Sequence, residues 1–157
     1  MRAMSAMFLV LLISAGVPAQ SKRVETFQFE KKAGSRVARV VFRTKMFTRA
    51  GHRSTRVVRG QTMVDGRPAI GTDGNIPGVE IDSMRFYLDG KEIKIPRRLY
   101  ADCFDPKFGN DYVTLEFGRE FRSVVITMSG SDGAGAYQAI WTLSKDGQHR
   151  RSIVPGG

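Results

Sequence analysis

Apolar and polar positions alternate with a period of two in short runs along the chain, and no stretch keeps the i, i+3, i+4, i+7 apolar stripe of a long helix. Runs rich in Val, Ile, Phe, Tyr and Thr occupy residues 24–30, 37–44, 55–64, 84–88, 92–95, 112–117, 121–128, 136–144 and 148–154, each bounded by turn-forming residues. In the first, Phe27 and Phe29 share a face with Glu25, while Thr26 and Gln28 take the other. In 112–117, Val113, Leu115 and Phe117 lie opposite Tyr112, Thr114 and Glu116. Such strands belong in an antiparallel sheet with one side on a core and the other in water.

The breaks between runs are equally informative. Asp precedes Gly at Asp65, Asp73, Asp89, Asp132 and Asp146, and Asp-Gly suits two-residue hairpin turns because both central residues need positive φ. The pairs at Asp89 and Asp146 each separate two strand runs and predict hairpins. The expected fold is all-β: a single-domain antiparallel β-sandwich, with a small β-barrel as the alternative. Loops 66–78 and 96–110 are longer than an up-and-down barrel prefers. There is no internal repeat, low-complexity tract or linker.

Residues 1–19 read as a cleavable signal peptide. Arg2 is the only charge before Lys22, and Met7-Phe8-Leu9-Val10-Leu11-Leu12-Ile13 forms the apolar run. That run is short beside the roughly 20 residues a membrane span needs, and Val17-Pro18-Ala19 offers small residues for cleavage. The expectation is export to the periplasm or cell exterior, with one all-β domain over 20–157 and no transmembrane segment after cleavage. An uncleaved anchor is the alternative.

Composition sharpens this picture. The chain of 157 residues is 41% hydrophobic and 10% aromatic, which suits a packed core. One cysteine rules out an intramolecular disulfide, and burial is the expectation for Cys103. The formal charge is +10 over the whole chain, but it is concentrated. Between residues 31 and 67 lie 11 basic residues, eight of them Arg, against Asp65 alone. Alternation places Arg39, Arg43 and Lys45 on one strand face, and Arg53, Arg56 and Arg59 are expected on a strand paired beside it.

Arg presents a planar fork of donors matched to carboxylate, sulfate or phosphate. The candidate anion-binding set is therefore Arg36, Arg39, Arg43, Lys45, Arg53, Arg56 and Arg59. Its expected partner is a polyanion, an acidic glycan or an envelope surface. Nucleic acid ranks lower, because only Phe42 and Phe47 interrupt the block for stacking. The alternative is a solvated face whose arginines pair with the 12 acids beyond residue 67.

Other motifs are weaker. Ser129-Gly130-Ser131-Asp132-Gly133-Ala134-Gly135-Ala136-Tyr137 has the order G-x-x-G-x-G and leads into an alternating strand rather than a helix. It predicts a strand-to-strand connection with a structural role for its glycines, and one wall of a binding cleft is the alternative. Asp102, Asp105, Asn110 and Asp111, and separately Asp73 and Asn75, match no calcium-loop spacing. His52 and His149 show no ligand spacing, so no metal or cofactor is expected. Neither G-x-S-x-G nor H-E-x-x-H occurs, and no catalytic residue is assigned. The expectation is a non-catalytic binding protein. Two alternatives stay open: a secreted hydrolase in which Glu80, Glu92, Glu116 and Glu120 converge, and a purely structural envelope component with Cys103 at a dimer contact.

Overall fold

A computed structural model of the chain describes residues 24–156; the signal-peptide expectation for residues 1–19 lies outside them. The strands are β1 (Val24–Ala33), β2 (Arg36–Met46), β3 (Thr55–Val58), β4 (Gln61–Val64), β5 (Arg67–Pro68), β6 (Val79–Leu88), β7 (Lys91–Ile93), β8 (Val113–Phe117), β9 (Ser123–Gly130), β10 (Tyr137–Ser144) and β11 (Arg150–Pro155). They form two four-stranded antiparallel sheets, ordered β1-β2-β6-β7 and β11-β10-β9-β8, and a small sheet β3-β4-β5. None closes into a barrel, so the barrel alternative is set aside.

Alternate residues of both large sheets enter one core. Ala38, Val40 and Phe42 come from β2, and Met84, Phe86 and Leu88 from β6. Val124, Ile126 and Met128 of β9 meet them with Ala139, Trp141 and Leu143 of β10. Fully burying each large side chain contributes about 1.5–3 kcal/mol, so this shared layer holds the two sheets together in a sandwich-like arrangement. Trp141 is completely buried, and its indole N–H donates to the Leu99 carbonyl at 2.6 Å. That bond ties loop 96–110 to the core.

The run 55–64 is not one strand. Arg59 (φ 51°) and Gly60 (φ 79°) turn the chain back on itself, so β3 pairs with β4. Only Gly60 signalled that turn, because Arg seldom takes the left-handed position. Arg53, Arg56 and Arg59 consequently do not lie on a strand paired with β2; its neighbours are β1 and β6. Of the five Asp-Gly pairs, those at Asp65, Asp73 and Asp89 have positive φ at both residues. Asp132 is extended, with φ −130°.

The two long loops join each other at one end of the sandwich. Ile70 N–H donates to the Asp102 carbonyl at 2.9 Å, and Phe104 N–H to that of Ile70 at 2.9 Å. Tyr137 Oη donates to the buried Phe104 carbonyl at 2.9 Å. Burial raises that phenol well above its ordinary pKa, keeping it a neutral donor. A Cβ on Gly71, whose φ is +98°, would come within 2.7 Å of the same ring. Beside it Cys103 is fully buried. Burial pushes its thiol up to about 12, against the opposing charge of Arg151.

Candidate functional site

The basic residues divide into two populations. On β2 and its neighbours the positive charge is largely engaged. Arg36 Nη1 lies 3.0 Å from Asp89, and the Arg39 guanidinium sits over the Tyr87 ring at 4.3 Å. Lys45 lies 3.4 Å from Glu80 and 3.2 Å from Asp82. Burial works against the Lys45 charge, but the hydrogen bond to Asp82 and the charge of Glu80 outweigh it and raise the ammonium above its ordinary pKa. The adjacent Arg85 is held by Glu92 at 2.7 Å. Arg43 is exposed and has no ion pair with a described residue.

The second population surrounds a cleft of about 250 Å³ between the small sheet and the loop carrying the turn Arg97–Leu99. Arg53 and Arg67 enter from the small-sheet side, and Arg97 and Arg98 from the opposite loop. None of the four pairs with a described carboxylate; Arg97 reaches only the Asp82 carbonyl, at 3.3 Å. Arg56 and Arg59 are exposed on the β3–β4 hairpin and do not line the cleft.

Two acids also line this cleft, and both are already occupied. Asp102 receives the fork of Arg151, with Nη2 at 3.0 Å and Nη1 on the other oxygen. Asp65 accepts from the Arg53 and Ser54 N–H groups at 2.7 and 3.2 Å and meets His52 Nδ1 at 3.0 Å. The His52 hydrogen bond, against burial and aided by those two N–H groups, holds the Asp65 carboxyl below its usual range. The other His52 nitrogen lies 3.0 Å from Glu80, and Phe47 stacks on the ring at a centroid distance of 4.8 Å. A chain from Lys45 through Glu80 and His52 to Asp65 thus fixes the wall that carries Arg53.

From the candidate set, Arg53 alone lines the cleft; Arg56 and Arg59 lie on the β3–β4 hairpin, and Arg36, Arg39, Arg43 and Lys45 belong to the large sheet. Arg67, Arg97 and Arg98 were outside that set. Arg97-Arg98 is visible in the sequence as a basic pair, but 30 positions beyond Arg67 nothing in the spacing joins it to the basic block. The link of His52 to Asp65 and Glu80 joins positions 13 and 28 residues apart and has no sequence signal.

The other motifs resolve structurally. The Gly-rich segment joins β9 to β10 through a short turn at Gly133–Gly135 and lines an open depression of about 850 Å³ with Lys107, Tyr112 and Tyr137. Its one exposed acid, Asp132, is paired with Lys107. Asp105 accepts from the Gly78 and Val79 N–H groups at 2.9 and 2.8 Å, fastening one loop to the other. Of the four glutamates Glu80, Glu92, Glu116 and Glu120, three have a cationic partner: Glu80 in Lys45, Glu92 in Arg85 and Glu120 in Arg122. Among the described residues no group of three or more His, Cys, Asp or Glu is placed to hold a metal ion. Comparison with protein-family models, curated proteins and solved structures finds no match.

Proposed function

We propose that the chain is an exported, non-catalytic binding module that captures an anionic polymer or envelope surface through arginine side chains. The observation that carries this reading is the convergence of Arg53, Arg67, Arg97 and Arg98 on one cleft with no acidic partner among the described residues. Four guanidinium groups in one concavity repel one another and focus a positive potential there. Carboxylate, sulfate or phosphate groups relieve that repulsion and match the donor fork. The pattern of residues 1–19 supports export, and the pairing of Arg36 and Lys45 on β2 supports a cleft-centred rather than a sheet-centred contact.

Retention on immobilised heparin, taken as a generic sulfated polyanion, tests the reading across a salt series. Log affinity falls linearly with log salt when several phosphate-like or sulfate-like groups are neutralised. A variant carrying Arg53→Ser, Arg67→Ser, Arg97→Ser and Arg98→Ser is expected to lose most of that slope while melting normally. Unchanged retention of the variant, or salt-insensitive retention of the wild type, overturns the proposal.

A further inference from the structure

We propose that the anionic partner is a lipid bilayer surface and that the β3–β4 hairpin enters it tip-first. This rests on the anion-binding reading above and names its partner. The hairpin ends in Arg56-Val57-Val58-Arg59-Gly60-Gln61, and all six residues are exposed. Val57 is 53% and Val58 43% exposed, among the most exposed large apolar residues of the described chain. Pairing puts Val57 opposite Thr62 and Val58 opposite Gln61. Successive strand residues point to opposite faces, so a flat partner laid on either face of the hairpin would cover one valine and leave the other in water. An interface entered end-on covers both.

The flanking charges fit the same orientation. Arg56 and Arg59 bracket the two valines, and Arg53 and Arg67 follow behind them at the cleft. Arg59 occupies the tip turn next to Val58, and its long side chain reaches back to the anionic headgroups while the valines directly behind the turn meet the acyl boundary. A sulfated or carboxylated glycan complements the arginines but gives no return for exposed valines. The turn at the tip is braced from behind: a Cβ on Gly74 would come within 2.6 Å of the Gly60 carbonyl. The bracing loop contributes Ile76, itself 39% exposed. The hairpin is therefore a supported projection.

Co-sedimentation of the full chain with vesicles tests this, using pure phosphatidylcholine against mixed phosphatidylcholine and phosphatidylglycerol, with heparin retention measured in parallel. The wild type should bind the mixed vesicles and not the neutral ones. The charge-preserving variant Val57→Ser/Val58→Ser should partition about tenfold more weakly while its heparin retention stays the same. Since both positions are exposed, a thermal melt serves as the folding control. In Val58→Trp the new indole should shift to shorter emission wavelength on mixed vesicles, a signal distinct from that of buried Trp141. Heparin retention without vesicle binding, or equal vesicle partition by Val57→Ser/Val58→Ser and wild type, overturns the lipid assignment and leaves a glycan as partner. Binding to neither heparin nor vesicles overturns the anion-binding reading as well.

Discussion

His52 joins two carboxylates that belong to different sheets: its Nε2 lies 3.0 Å from Glu80 on β6, and its Nδ1 lies 3.0 Å from Asp65 in the β4–β5 turn. Through its two ring nitrogens the imidazole links the small sheet to the sandwich. The His52 and Glu80 side chains are only 7% and 4% exposed, so solvent screens the pair little. Replacing His52 with Ala leaves Glu80 to Lys45 alone and removes the ring stacked on Phe47. His52→Ala is expected to destabilise the protein by about 3 kcal/mol. Urea unfolding measures this, and a loss below about 1 kcal/mol would show that the link is dispensable.

The Asp65 end of the same link has a pH signature. Its folded-state pKa is lowered, chiefly by the hydrogen bond with His52. Stability from such a group is fully present above the unfolded carboxyl value, near about 3.9, and disappears as pH falls through the folded value. Asp65→Asn is therefore expected to be less stable than wild type at neutral pH, with the gap narrowing below about pH 4. Denaturation midpoints of both proteins across that range give the answer. A gap that stays constant to low pH would mean that Asp65 acts through turn geometry rather than charge.

The strand pattern of this fold was legible because the core residues alternate. Buried Val113 and Leu115, and half-buried Phe27 and Phe29, show their inward faces without any tertiary information. Asp65-Gly66 and Asp89-Gly90 likewise announced their turns. Arg59-Gly60 did not, since its left-handed Arg is imposed by the small sheet rather than favoured locally. The site was legible only as a charge excess. Which cations are engaged depends on whether Asp89 arrives beside Arg36, Tyr87 under Arg39, and Glu80 and Asp82 beside Lys45. Those partners come from β6 and the β6–β7 turn, more than 30 positions along the chain. The Arg97-Arg98 half of the cleft is brought to Arg53 and Arg67 by the joining of the two long loops, which no local pattern encodes.

That joining depends on one ring and two missing side chains. A Cβ on Gly130 would overlap the Tyr137 ring, and the ring cannot retreat without losing the 2.9 Å bond to Phe104. Gly130→Ala is expected to cost about 2–3 kcal/mol through overpacking. Tyr137→Phe, which keeps the ring and drops the buried bond, should cost about 1–2 kcal/mol. Because both act on one contact, the Gly130→Ala/Tyr137→Phe double variant should lose less than the two single losses combined. Strict additivity in chemical denaturation would place the two effects in separate parts of the fold.

The division of the basic residues predicts that charge removal separates binding from stability. Arg67 and Arg98 have no ion pair with a described residue, so Arg67→Ser/Arg98→Ser should leave the melting temperature nearly unchanged. The same variant should lower the salt slope of polyanion binding by about two. Arg36 and Lys45 behave oppositely, since their charge is spent on Asp89, Glu80 and Asp82. Arg36→Ser should cost less than about 1 kcal/mol, as its partly exposed pair is screened by solvent. Lys45→Met should cost more, because it strips a cation from buried Glu80. Neither should alter the slope. If Arg36→Ser and Lys45→Met reduce it as much as the cleft pair does, the contact surface is the large sheet and the cleft is incidental.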